Sequence, residues 1–177
     1  MKYLVIFTLL AALFACSTAR VVKTEKAPGV DFTTYKTFDF YELGASGDTT
    51  GNKFNTYTDM LRQAISRELE AKGYRRESTD PDLRVNIGIV VKEEAQTRET
   101  TIREAPRYMG QRRYSWKSEQ VEVGRYKTGT ATIDLVDSRK NMMVWEGVME
   151  GIISKKQSSY ESDVNKGISQ LFEKFPD

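Results

Sequence analysis

Leu83, Val85, Ile87, Ile89 and Val91 alternate with Arg84, Asn86 and Gly88. A period of two puts these five apolar side chains on one face of an extended segment, and that face must be covered by another layer. Ala131, Ile133 and Leu135 repeat the pattern, as do Trp145, Met149 and Ile153, with Glu146 and Glu150 on the opposite face. The aromatic run Tyr35–Tyr41 is also strand-prone. Two other segments change period. Tyr57, Met60, Leu61, Ala64, Ile65 and Leu69 line one side of a helix from about Thr56, closed by Gly73 in the left-handed conformation with Tyr74 folding back over the last turn. Val164, Ile168, Leu171, Phe172 and Phe175 form the apolar stripe of a second helix from about Glu161, which suits a core better than a membrane surface. Four strands and two helices, each with one apolar side, predict an α+β two-layer sandwich. The expected sheet is mainly antiparallel with about four strands, two helices lie on one face, and the order is β-α-β-β-β-α.

Parity sets the pairing of the last two strands. Opposed residues in an antiparallel pair share a face, so Leu135 should meet Trp145, Ile133 should meet Gly147 and Ala131 should meet Met149. An odd loop is required, and Arg139-Lys140-Asn141 supplies three residues, with Asn141 suited to the left-handed position. Gly147 and Gly151 then fall on the buried face, leaving room for bulky neighbours. Gly44–Asn52 reads as a loop and Asp80-Pro81-Asp82 as a turn; the stretch from Glu93 to Lys117 is polar and irregular.

The chain has 177 residues, 39% hydrophobic and 29% charged, which suits one globular domain. A net charge of +2 gives no bulk field for nucleic acid, and no nucleic-acid partner is expected. Histidine is absent, which removes His-based triads and His-ligated zinc. The one cysteine, Cys16, excludes an internal disulfide framework and a Cys-rich metal site. No phosphate-binding GxxxxGK[ST] or dinucleotide-binding GxGxxG occurs, and the acidic residues are too scattered for a calcium loop. No cofactor or metal is expected.

Cys16 carries the clearest signal. Lys2 precedes a thirteen-residue, mostly apolar run from Tyr3 to Ala15, the layout of a secretory signal peptide and too short to span a bilayer core. The run ends in Leu13-Phe14-Ala15-Cys16, which resembles the lipobox of bacterial lipoproteins. That resemblance implies a diacylglyceryl group on the Cys16 thiol, cleavage before it, and acylation (palmitate or a similar chain) of the new N-terminus. Residues 1–15 are thus expected to be a lipoprotein signal peptide. Residues 16–30, polar and ending in Pro28-Gly29, are expected to form a lipidated flexible tether, and 31–177 a single α+β domain. Ser17 after the cysteine, rather than aspartate, implies the outer membrane by likeness to sorting signals. Without a following acidic run, a periplasm-facing position is expected.

Two groups of residues carry candidate chemistry. Between Ala95 and Ser118, six basic residues stand against Glu99 and Glu104, with aromatics interleaved. Arg107, Tyr108, Arg112, Arg113, Tyr114 and Trp116 are the candidate ligand-binding residues, because guanidinium groups pair with phosphate or carboxylate and aromatic faces stack on sugars or arginine. The second group is Asp134 with Glu146, which the register places opposite each other on the outer face. Two close carboxylates could share a proton or act as a retaining-glycosidase pair, which makes an envelope hydrolase the alternative reading. Asp48-Thr49-Thr50-Gly51 resembles half of an aspartic-protease site, but no second half exists.

Five motifs, in order, resemble the lipoprotein family known as domain of unknown function 4136. They are Tyr35–Phe40 (YKTFDF), Lys72-Gly73-Tyr74, Pro81–Val85 (PDLRV), Gly129–Asp137 (GTATIDLVD) and Val144–Gly147 (VWEG). The resemblance implies a bacterial, lipid-anchored envelope domain and assigns no catalytic residue. Many relatives are rich in Gly, Tyr and Trp between the third and fourth motifs, where this chain is basic. The expected function is therefore a non-catalytic binding or adaptor module of the outer membrane, anchored through its lipid. Its expected contact is an envelope protein, a lipid head group or peptidoglycan. A purely structural envelope lipoprotein is the further alternative.

Overall fold

The computed structural model describes residues 19–41, 52–101, 104, 117–153 and 156–176. The elements are β1 (Ala19–Lys26), a 3-10 turn (Phe32–Thr34), β2 (Thr37–Phe40), α1 (Asn52–Ala71), β3 (Arg75–Arg76), β4 (Leu83–Glu99), β5 (Gln120–Asp137), β6 (Met142–Ile152) and α2 (Gln157–Phe172). They form one six-stranded sheet in the order β1-β6-β5-β4-β2-β3. The α+β class and the single helix-covered face hold. The strand count and the antiparallel sheet need correction: there are six strands, and β2 pairs parallel with both β3 and β4. The parallel pair arises because α1 carries the chain from the end of β2 back to the start of β4, a crossover that a simple hairpin cannot make.

Part of the expected tether is also structured. Ala19–Lys26 runs antiparallel to β6, from Ala19 opposite Gly151 to Lys26 opposite Trp145, with a bulge at Val22. Only Ala19 and Val21 turn toward the core. Apart from Val22, exposed at the bulge, the remainder of β1 is polar, which discourages pairing of this edge strand with other chains.

Helix α1 ends as Gly73 predicts. Gly73 has φ 92°, its N–H donates to the Glu70 carbonyl, and the Tyr74 N–H reaches back to the Leu69 carbonyl. These two bonds are the Schellman pair that satisfies the last helical carbonyls. Both helices begin four residues earlier than expected, at Asn52 and Gln157 rather than about Thr56 and Glu161. All five residues of the α2 stripe, including Phe175 beyond the helix, are buried. None of the helices among the described residues is long and apolar enough to cross a membrane.

The β5–β6 register is the expected one, with Leu135 opposite Trp145, Ile133 opposite Gly147 and Ala131 opposite Met149. The turn differs. Asp137 pairs with Met142, so the loop holds four residues, Ser138–Asn141, and a bulge between Leu135 and Val136 restores the odd parity. The extra residue opposite that step is Val144, and it lets Val144 and Trp145 both be buried although they are adjacent. Asn141 takes the left-handed conformation, φ 49°. Gly147 is required by packing, since a Cβ there would strike the Trp145 ring and come within 2.9 Å of Leu171 Cδ2.

Candidate functional site

The longest pairing in the molecule is β4 with β5, continuous from Leu83–Asp137 to Glu99–Gln120 with one irregularity at Gln96/Thr97. Its near half is covered by the helices. From Val91 outward every residue of β4 is exposed, and those of β5 up to Lys127 are exposed or, at Val121, Gly124 and Tyr126, half-buried. At about 3.3 Å per residue, the pair projects roughly 25–30 Å beyond the helix layer. The region expected to be irregular from Glu93 to Lys117 thus begins as strand, over Glu93–Glu99. With neither face buried, no hydrophobic alternation is needed to hold it, and cross-strand polar pairs do so instead. Tyr126 donates to Glu94 at 2.9 Å, Thr128 bonds Glu94 at 3.1 Å, and Arg125 bridges Glu93 and Glu122.

This arm closes on Thr100, whose N–H donates to the Glu119 carbonyl and whose carbonyl accepts from Ser118 Oγ. Arg98, at the end of β4, pairs with Glu104 and holds that carboxyl down at about 2. Arg107, Tyr108, Arg112, Arg113, Tyr114 and Trp116 lie outside the described residues, as does Cys16. Their stretch of chain is bracketed by the arm's two ends.

Asp134 and Glu146 are directly opposed, as the register predicts. Each is engaged by a different neighbour. Asn86 Nδ2 donates to Asp134 Oδ2 at 3.0 Å, while Lys23 of β1 reaches Glu146 Oε1 at 2.7 Å. The hydrogen bond to Glu146, seconded by Glu25, pushes the Lys23 ammonium well above its usual range. Asp134 Oδ1 is buried with no hydrogen-bond partner among the described residues. The strand that sequence reading took for tether therefore supplies the counter-charge for one carboxylate.

At the root of the arm, where the helix layer stops, lies a half-open apolar cleft. Tyr57 and Leu61 of α1, Tyr160 and Val164 of α2, and Ile89 and Val91 of β4 form its walls. The tyrosine rings meet across the helix pair at a tilt of 44° with centroids 4.3 Å apart, and burial pushes the Tyr160 hydroxyl up to about 12. Val91 at the mouth is 50% exposed. Sequence reading missed this cleft because its walls come from six separate elements. The available signal was Val91, the last apolar residue of an alternation that continues into polar sequence.

A second cluster lies at the opposite end of the sheet. Asp82 Oδ2 accepts from the N–H groups of Lys36 and Thr37 at 2.8 and 3.1 Å, tying the start of β2 to β4. Asp137 accepts from Tyr35 Oη at 2.9 Å and from the N–H groups of Arg139 and Lys140 at 3.0 Å, tying the 3-10 turn to the β5–β6 loop. These residues come from the YKTFDF, PDLRV and GTATIDLVD motifs, so the motifs mark structural stitching. The sequence matches the family described as Domain of unknown function (DUF4136) across residues 22–177. The chain belongs to this family. The DUF4136 match begins within β1, which makes the edge strand part of the domain.

Among solved structures, a PDZ domain protein from Parabacteroides distasonis is similar at 16% identity and TM-score 0.53. The alignment covers 96% of this DUF4136 chain but 40% of that protein, and the likeness is one of fold. A PelC dodecamer from Paraburkholderia phytofirmans aligns at 14% identity and TM-score 0.44, covering 86% of this chain and 96% of that one. The search of curated proteins returns no match.

Proposed function

We propose that this DUF4136 protein is a lipid-anchored, periplasm-facing outer-membrane lipoprotein that acts as a non-catalytic adaptor. Cys16 carries the anchor, and the basic aromatic segment at the end of the β4–β5 arm is the contact. The observation that carries the reading is the arm itself. A ladder reaching roughly 25–30 Å past the helix layer has no packing role in the core, and its two strands flank in sequence the stretch that contains Arg107, Tyr108, Arg112, Arg113, Tyr114 and Trp116. Anchoring would confine the protein to one surface and raise its effective concentration for an envelope partner bearing phosphate or carboxylate groups.

Site-specific photo-crosslinking in intact cells tests this, with the probe at Tyr114 and a control probe at Glu150 on the outer sheet face. The expected result is a discrete adduct from Tyr114 alone, lost on charge reversal at Arg112 and Arg113 and unchanged by alanine at Asp134 and Glu146. Adducts from Glu150 only, or from neither position, would discard the arm as the contact. Loss of the Tyr114 adduct on changing the two carboxylates would favour the outer face and reopen the hydrolase reading.

A further inference from the structure

We propose that the apolar cleft at the root of the arm holds an acyl chain of the lipid carried on this chain's own Cys16. The inference rests on the lipid-anchor reading above and goes beyond it by giving the lipid a seat in the protein. The cleft walls are almost wholly apolar, with the Asp163 side and the tyrosine hydroxyls as its polar margin. Val91 stands half-exposed at its mouth, apolar surface that the described residues leave uncovered.

Chain length selects the occupant. Ala19, the first residue of β1, is itself a wall of the cleft. Cys16 is three residues earlier, and three residues span at most about 11 Å even when fully extended. A lipid on Cys16 therefore starts within reach of the mouth whatever path residues 16–18 take. Direction agrees. β1 starts opposite Gly151, near the end of β6, so it leads into the sheet from the arm end, where the cleft opens. A ligand tethered so closely occupies a site at high effective concentration, so even a weak apolar cleft would be filled. A free fatty acid, a second copy or the bilayer could also cover apolar surface, but none is delivered to the cleft wall by the covalent chain.

The test feeds cells expressing the full chain an alkynyl fatty acid with a diazirine along its length, followed by irradiation, digestion and mass spectrometry. The expected result is probe on the Cys16 peptide, cross-linked within the same molecule to peptides containing Ile153, Tyr160 or Val164. Val91→Trp, a change at an exposed position, is expected to block the mouth and reduce those cross-links several-fold, with Cys16 labelling and the circular dichroism spectrum unchanged. Cys16 labelled but cross-linked only to membrane lipid or to another protein would overturn the cleft assignment and leave the anchor standing. An unlabelled Cys16 would overturn the anchor reading, and this inference with it. Cleft cross-links that persist in Cys16→Ser would mean an untethered fatty acid and overturn the assignment to the protein's own lipid.

Discussion

Trp145→Ala is expected to lower the unfolding free energy by about 3–5 kcal/mol, the range for removing a large buried aromatic. Trp145 is 1% exposed, and its ring lies 5.4 Å from that of Phe172 and 5.2 Å from that of Phe175. It therefore joins the β5–β6 bulge to the end of α2. Domains of this size are stable by about 5–15 kcal/mol, so the loss takes a large share of the margin. Packing against Gly147 makes the prediction sharper. Gly147→Ala alone should cost about 1–3 kcal/mol by overpacking against Trp145 and Leu171. In the Trp145→Ala background the added methyl enters vacated space, and most of that cost should disappear. Urea denaturation of the four proteins measures the coupling. Strictly additive losses would show that the two residues do not share one packing space.

Asp137→Ala is expected to cost about 1–3 kcal/mol at neutral pH, because the Tyr35 hydroxyl and two loop N–H groups lose their acceptor. The change should also alter the acid limb of the stability profile. Burial alone would raise the Asp137 carboxyl, but hydrogen bonds from Lys140, Tyr35 and Arg139 outweigh it and hold the group below its usual range. Asp82 is likewise lowered, chiefly by the Lys36 N–H. A carboxyl depressed in the folded state binds protons more readily when unfolded. Its contribution is present above the ordinary carboxylate value near 3.9 and fades as pH falls below it toward the folded value. Stability of the natural chain should thus drop below about pH 4, and Asp137→Ala should drop less steeply there. Unfolding midpoints from pH 2 to 7 test this, and equal slopes in the two proteins would refute the role given to Asp137.

The parts of the fold that bury one face were legible in the sequence. Parity alone placed Leu135 against Trp145, and Gly73 with Tyr74 marked the helix end. The same parity misread the turn, because a four-residue loop plus one bulged residue has the same remainder as a three-residue loop. β1 was missed because an edge strand with only Ala19 and Val21 turned inward looks like polar linker. The outer half of the arm was missed because hydrogen bonds to a neighbouring strand, with no buried face, leave no period to read. Of the candidate site, the basic aromatic stretch was visible as composition, but the projecting ladder whose strands flank it in sequence was not. The cleft could not be read at all, since residues as distant as Ala19 and Val164 meet only once the sheet is assembled.

The pairing of Ala19 with Gly151 also sets an order of assembly. The β5–β6 hairpin is local and can close as soon as it exists, whereas the first strand made must wait for the last strand made before it has a neighbour. Closing so long a loop carries an entropic cost that shorter pairings avoid. The N-terminal strand therefore docks onto a sheet that is already built, and the last seam of the domain to seal is the one beside the residue that leaves it first.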